Sequence, residues 1–129
     1  MSRSRRIADY IERQYISEQG SVRENVEGMF AEDLAYHVGG ETLSREDVIA
    51  AVTAVRGSPR DGRRVLTSGF SEDGDVVTWH ISATIPGPDG ADLTQENDLR
   101  AVFDAEDKIR EVWSEGSVPD YQAGESPDS

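Results

Sequence analysis

The sequence contains no cysteine, which excludes a disulfide framework, a thiol nucleophile and a thiolate metal site. Histidine is scarce too, since His37 and His80 are the only two. No HExxH motif or similarly spaced cluster is present, so we predict no metal site. No cofactor is expected either, and any chemistry must come from ordinary side chains.

Basic residues are few, with 13 Lys and Arg against 26 Asp and Glu and a net charge of −13. Such an acidic surface repels phosphate backbones and anionic lipids, so we expect no nucleic-acid partner and no membrane association. No apolar run approaches the ~18 residues of a membrane span. The basic start MSRSRR is followed by no signal-like apolar stretch, so a cytoplasmic soluble protein is expected.

The first half of the chain shows helical periodicity. Residues 4–18 are predicted to form a helix, because Ile7, Ile11 and Tyr15 recur at intervals of four, and Gly20 ends it.

Two further helices begin at capping motifs. Ser21 is followed three residues later by Glu24, and Ser44 by Asp47, which is the spacing of a capping box. The third helix is predicted to end at Gly57, so three modest helices are expected in all.

Between the second and third helices lies a short predicted strand, Asp33–Val38, with Tyr36 and His37 on opposite faces. After the third helix the periodicity changes to strict alternation. It predicts four antiparallel strands, at Arg64–Phe70, Asp75–Ile85, Leu93–Phe103 and Lys108–Trp113.

The last hairpin, Val102–Trp113, has an acidic turn between two strands. Alternation predicts that Ile109, Glu111 and Trp113 share one face, with Val112 on the other. Which face looks inward is open, because a one-residue change of register exchanges the two sets.

Helices followed by an antiparallel meander indicate the α+β class. We expect one domain over residues 1–115, with a flexible acidic tail at 116–129. A curved antiparallel or mixed sheet wrapped around three N-terminal helices should form a cone with an internal cavity.

Three stretches resemble the SnoaL-like group of the nuclear transport factor 2-like superfamily. They are DLAYHVGG from Asp33, DVVTWHISATIPGPDG from Asp75, and VFDAEDKIREVW from Val102 with the later Asp120-Tyr121. The glycine usual before the lysine of the third stretch is replaced by Asp107. The resemblance covers roughly residues 4 to 122.

The resemblance implies a cone fold, commonly dimerised through the outer face of its sheet, so a homodimer is expected. Members include ketosteroid isomerase, polyketide cyclases, epoxide hydrolases, dehydratases and proteins with no shown activity. The isomerase tyrosine could correspond to Tyr10 or, less well, Tyr15. Its base falls near Val38 and its second acid near Leu99, so the isomerase machinery is not carried over.

The candidate catalytic residues are polar or titratable side chains on these strands: Asn97, Asp98, His37 and Glu111. Asn97 shares the apolar face of its strand and could donate to a carbonyl or enolate. Asp98 is a base only if register turns it inward, and solvent exposure is the alternative. The imidazole of His37 is suited to general acid or base work, and Glu111 would become an acid if buried against Trp113.

The candidate ligand-binding residues are mainly aromatic: Tyr15, Tyr36, Trp79, His80 and Trp113. Each has a structural alternative, since core aromatics are common and the polar face carrying His80 could meet solvent or a dimer mate.

Two functional hypotheses follow. The first is a cofactor-free enzyme of the cyclase, isomerase, dehydratase or hydrolase type, acting by acid–base chemistry on a hydrophobic, oxygenated, polyketide-like substrate. The second is a non-catalytic protein that binds a hydrophobic small molecule or a partner protein. An inward carboxylate or imidazole favours the enzyme, and an apolar cavity favours the binding protein.

Overall fold

Three helices precede most of the sheet in the structure, a computed structural model that describes residues 2–57, 62–86 and 92–116. The helices are α1 (Arg3–Ile11), α2 (Val22–Met29) and α3 (Arg45–Arg56). Parts of the predicted loops 58–64 and 86–90, and the predicted tail beyond residue 116, lie outside the described residues.

Both predicted capping boxes are confirmed. The Ser21 side chain accepts from the amide of Glu24, and the Ser44 side chain accepts from the amide of Asp47. In each case the acidic side chain returns a bond to the backbone of the serine, which satisfies helix-end groups that would otherwise lack partners.

The first helix does not keep α geometry to its end. After Ile11 it continues as a π-helical turn, Glu12–Ile16, which holds more residues per turn than an α-helix. Gln14 lies at the centre of this turn and is fully buried. The predicted helix is therefore present, but its last turn has a different geometry.

Six strands form one sheet: β1 (Phe30–Val38), β2 (Glu41–Leu43), β3 (Arg64–Asp73), β4 (Val76–Pro86), β5 (Asp92–Phe103) and β6 (Ile109–Gly116). The sequence did not predict β2. It forms because Gly39 and Gly40 both adopt positive φ, which lets the chain turn back and pair with β1.

The strand order is β2-β1-β6-β5-β4-β3. The last four strands in the chain form the predicted antiparallel meander, and β1 joins it by parallel pairing with β6. The sheet is curved, mixed and unclosed, so the predicted α+β cone is confirmed.

The helices pack against one face of the sheet, called here the inner face. The core contains apolar side chains from all three helices and from β1, β4, β5 and β6, including Ile7, Val26, Val52, Val77, Ala101, Phe103 and Val112. No helix of the described residues is long and apolar enough to cross a membrane.

A β-bulge in β6 overturns the predicted alternation of the last hairpin. Phe103 pairs with Ile109, but Val102 pairs with Glu111, so Arg110 is an extra residue. The bulge reverses the parity of the strand. Ile109 and Val112 therefore face the core, and Glu111 does not share a face with Ile109.

The turn before β6 is tied to the first helix. Asp107 has a positive φ of 65°, the conformation for which a glycine is usual. Its carboxylate accepts hydrogen bonds from Arg3 Nε at 2.7 Å and Arg6 Nη1 at 2.8 Å. These guanidinium groups hold the pKa of Asp107 below its usual range and anchor α1 against the hairpin.

Candidate functional site

A cavity of about 180 Å³ lies between the helices and the inner face of the sheet. Its walls are almost wholly apolar or aromatic: Ile7, Tyr10, Ile11, Tyr15, Met29, Phe30, Tyr36, Leu43, Val48, Ala51, Val52, Trp79, Ile81, Leu99, Ile109 and Val112. A concave apolar pocket with a few polar groups is the usual form of a small-molecule site.

The cavity has a solvent-facing side near the middle of α3. Ala51 lines the cavity and is also exposed, whereas its neighbour Val52 is buried. Leu43 and Ile81 on the wall are half-buried. The cavity wall therefore reaches the protein surface at Ala51.

Three of the residues that line the cavity are tyrosines, Tyr10, Tyr15 and Tyr36, each with a hydroxyl group. Burial raises the pKa of Tyr15 to about 12, and burial also raises the pKa values of Tyr10 and Tyr36. Repulsion from an ionised Tyr15 raises the pKa values of the other two further, and all three side chains line the same cavity. All three are therefore neutral hydroxyls near pH 7.

The hydroxyl hydrogens of these tyrosines have no partner within the described part of the chain. The Tyr10 oxygen accepts a bond from Gln14 Nε2 at 3.2 Å. No acceptor for the hydroxyl hydrogen of Tyr10, Tyr15 or Tyr36 is found among residues 2–57, 62–86 and 92–116. The wall therefore offers hydrogen-bond donors.

Trp79 adds a fourth donor. Its ring stacks on Phe70 with centroids 6.0 Å apart and an interplanar angle of 15°. Its indole Nε1 is buried and has no hydrogen-bond partner in the described part of the chain. An unpaired buried N–H costs about 1–3 kcal/mol, which an acceptor on a bound ligand would relieve.

Asn97 lies on the inner face but beyond the cavity. It is buried and pairs across the sheet with Ile81, which does line the cavity. Its Nδ2 donates to Ser114 Oγ at 3.0 Å. This bond uses one of the two amide hydrogens of Asn97, and its predicted role as a donor to a carbonyl or enolate stays a prediction.

His37 and Glu111 meet on the opposite, outer face of the sheet. His37 Nε2 lies 2.8 Å from Glu111 Oε2, and His37 Nδ1 lies 3.1 Å from Thr42 Oγ1. His37 also stacks on Trp113, with centroids 5.5 Å apart, and Arg100 lies over the same indole. The β6 bulge is the reason that Glu111 and Trp113 lie outside the cavity.

His80 and Asp98 also lie on the outer face. His80 Nδ1 is 2.9 Å from Asp98 Oδ1, and His80 Nε2 is 2.8 Å from Glu96 Oε1. These bonds to the two carboxylates raise the pKa of His80. The carboxylates bind opposite ring nitrogens, so they do not converge on one ion, and no metal-binding cluster is found among the described residues.

The structure thus divides the predicted site residues into two groups. Tyr15, Tyr36 and Trp79 line the cavity, as expected for ligand contacts. The other candidates, His37, His80, Asp98, Glu111 and Trp113, do not line it. Among the described residues no carboxylate or imidazole lines the cavity, so the catalytic roles of His37, Asp98 and Glu111 stay predictions. The homodimer through the outer face also stays a prediction.

Tyr10 was named only as a possible counterpart of the isomerase tyrosine, and Gln14, which donates a hydrogen bond to Tyr10, was not a candidate. Their spacing of four residues places them on the same face of a helix, beside the stripe formed by Ile7 and Ile11. That spacing could have identified Tyr10 as a wall residue. The burial of Gln14 could not be read from the sequence, because it depends on the π-helical turn.

Comparison with solved structures supports the predicted resemblance. IdmH from Streptomyces antibioticus, named as a candidate polyketide cyclase, matches with a TM-score of 0.71 and 16% identity over 95% of this chain and 94% of that one. SalBIII, an epoxide hydrolase/cyclase-like enzyme, matches with a TM-score of 0.68 and 20% identity over 90% and 91% of the two chains.

A candidate isomerase of the SnoaL-like family from Agrobacterium tumefaciens matches with a TM-score of 0.67 and 20% identity, over 92% of this chain and all of that one. No protein-family model and no curated protein sequence matches this chain. The structural neighbours are thus SnoaL-like and nuclear transport factor 2-like proteins, as predicted, and at these identities they show a shared cone fold.

Proposed function

We propose that the cavity binds a small apolar molecule that carries a hydrogen-bond acceptor, for which a carbonyl oxygen is the best fit. The observation that supports this most is the character of the wall. It is apolar, and its polar atoms are three phenol hydroxyls and the Trp79 indole N–H, which can donate.

The volume of the cavity limits the size of the ligand. At about 180 Å³ it is close to the ~150 Å³ of an engineered apolar cavity that holds benzene. It is smaller than the ~300–1,000 Å³ of typical drug-sized sites. A ligand built on a single ring fits this volume, whereas the polyketide-like substrate expected from the sequence would require the cavity to widen.

The chemistry of the wall favours binding over proton transfer. A general base must lie within hydrogen-bond reach of the proton that it removes. The histidines and carboxylates expected to supply that base are on the outer face, where they pair with one another. The observation therefore favours the second hypothesis, a binding protein.

A second candidate function is cofactor-free catalysis in the same cavity. It is favoured by the cluster of neutral phenols, which can stabilise negative charge developing on a carbonyl oxygen. Such a site suits an isomerisation or cyclisation in which the substrate supplies its own reacting group. Similarity to SalBIII and IdmH is consistent with this chemistry.

Acetophenone is a suitable probe, because it combines one ring with one carbonyl. In a Trp113→Phe background the fluorescence of Trp79 reports on the cavity alone, since the chain has two tryptophans. We expect saturable quenching. Ala51→Phe, at the solvent-facing side, should weaken binding, and Ala50→Phe, an exposed neighbour outside the lining, is the matched control.

Quenching that never saturates, or that Ala51→Phe and Ala50→Phe change equally, would show that acetophenone does not occupy the cavity. Proton exchange separates the two candidate functions. A binding protein leaves the exchange of the acetophenone methyl protons in D₂O at its uncatalysed rate. A site whose phenols stabilise the enolate accelerates the exchange with water or hydroxide as the base, and Tyr10→Phe should then slow it.

A further inference from the structure

A chain of partly buried hydrogen bonds ends at the hydroxyl of Tyr10, which lines the cavity. Arg56 Nη2 donates to Gln14 Oε1 at 3.0 Å, and Gln14 Nε2 donates to the Tyr10 oxygen at 3.2 Å. Gln14 is fully buried, at 0% exposure, in the π-helical turn. Irregular π turns occur often at functional sites.

Two arginines determine the orientation of the amides. A guanidinium group has only donors, so the Gln14 atom that faces Arg56 must be the oxygen. Arg13 Nη2 likewise donates to Asn25 Oδ1 at 3.0 Å, which leaves Asn25 Nδ2 to donate to Gln14 Oε1 at 3.1 Å. Both neighbours therefore require that Gln14 Nε2 faces Tyr10.

This orientation decides what Tyr10 can do. Since the Tyr10 oxygen accepts from Gln14, its own hydrogen must point elsewhere, and no residue of the described ranges accepts it. Tyr10 lines the cavity, near the hydroxyls of Tyr15 and Tyr36. Tyr10 also borders a surface pocket beside Arg13 and Asn25. Because Tyr15 and Tyr36 line the same cavity as Tyr10, we assign its hydrogen to the cavity side rather than to that pocket.

We propose that Gln14 is a positioning residue that directs the Tyr10 hydroxyl hydrogen into the cavity and so selects ligands presenting a lone-pair oxygen, such as ketones and esters. This inference rests on the proposed binding function. It adds a determinant of specificity that does not itself touch the ligand.

Gln14→Glu tests the proposal because it is nearly isosteric and reverses one interaction. One carboxylate oxygen keeps the bonds from Arg56 and Asn25. The other now accepts the hydrogen of Tyr10, which withdraws that donor from the cavity. Gln19→Glu is the matched control, since it adds the same charge at an exposed position nearby.

The probes are acetophenone and ethylbenzene, which differ in the acceptor oxygen. We expect Gln14→Glu to weaken acetophenone binding about five- to tenfold, the equivalent of one hydrogen bond, and to leave ethylbenzene binding unchanged. The infrared carbonyl stretching frequency of bound acetophenone should be lower in the unaltered protein and in Gln19→Glu than in an apolar solvent, because a donor contacts the carbonyl. In Gln14→Glu the frequency should be higher than in the unaltered protein.

An unchanged carbonyl frequency and unchanged affinity in Gln14→Glu would overturn the role of Gln14 while the proposed binding function stands. Absence of binding of both probes to the unaltered protein would overturn the binding function and the inference together. A ligand-free check uses NMR: Tyr10→Phe should shift the side-chain amide resonances of Gln14, and Tyr15→Phe should leave them in place. Equal effects of the two substitutions would contradict the hydrogen-bond chain.

Discussion

The inner and outer faces of β4, β5 and β6 are built from alternating residues of the same strands, yet their polar groups differ in kind and in availability. The inner face lines a cavity with neutral donors, namely the phenols and the Trp79 indole, that have no acceptor among the residues the structure describes. The outer face holds titratable groups that are already paired, such as His80 with Asp98 and His37 with Glu111.

The difference teaches that a titratable residue is not by itself a functional residue. His80 and His37 have the chemistry of an acid or base, but each of their ring nitrogens already has a partner. The tyrosines have weaker chemistry, but their hydrogens are free to meet a ligand. Buried polar groups without a hydrogen-bond partner are unusual, and a bound ligand would supply the missing partner.

A matched pair of valines gives the largest expected contrast between the faces. Val112 is on the inner face at 1% exposure, and Val102 is on the outer face of the adjacent strand and half-buried. Val112→Ala should lower the free energy of unfolding by about 2 kcal/mol, because it removes two buried methyl groups and leaves a void. Val102→Ala should cost less than about 1 kcal/mol.

Urea unfolding of the two variants measures the contrast directly. Equal losses would mean that the faces are equally buried in solution, as they would be if a second copy of the chain covered the outer face. The free energy of unfolding of each variant should then be measured across a range of protein concentrations. A dependence on concentration indicates such a dimer, and its absence indicates that the faces were assigned wrongly.

The pH dependence from His80 should be a smaller effect. Its folded-state pKa is raised by Asp98 and Glu96, so protonated His80 stabilises the folded protein. That contribution is fully present below the unfolded value near ~6.5 and is lost as the pH rises through the higher folded value.

NMR titration of the His80 ring should therefore give a midpoint above ~6.5. His80→Gln should remove the corresponding part of the fall in stability between neutral and alkaline pH, relative to the unaltered chain. A midpoint at or below the unperturbed value would show that the carboxylates do not hold His80 in solution.

The coupling between His37 and Glu111 should be the smallest effect. Their side chains are 32% and 29% exposed, so solvent screens the 2.8 Å contact. A double-mutant cycle with His37→Ala and Glu111→Ala should give a coupling energy below about 1 kcal/mol. A much larger value would mean that the pair is desolvated, which would restore Glu111 as a candidate acid.

Much of the fold could be predicted from local patterns. The capping boxes at Ser21 and Ser44 were read correctly because the interacting groups are three residues apart in the chain. The alternation in β4 correctly placed Trp79 and His80 on opposite faces of the sheet. The parallel pairing of β1 with β6 was not predicted, because it joins residues far apart in the sequence.

The candidate site was only partly predictable. The position of Tyr15, Tyr36 and Trp79 on the cavity wall could be anticipated, because aromatic residues on apolar stripes lie at the core or at the wall of a cavity, and their role as ligand contacts stays a prediction. The sequence did not determine which face of the sheet carries Glu111 and Trp113. Nothing in the local sequence around Arg110 shows that one residue is inserted there relative to β5.

The amino-acid sequence by itself determined where the helices begin, which segments alternate as strands, and the acidic charge that disfavours nucleic acid, because each depends on near neighbours or on composition. Only the tertiary structure decided that Val112 faces the cavity while Glu111 faces outward, and that Gln14 is buried against Tyr10. The physical reason is that both outcomes depend on irregularities, a β-bulge and a π-helical turn, that are stabilised by contacts with distant elements.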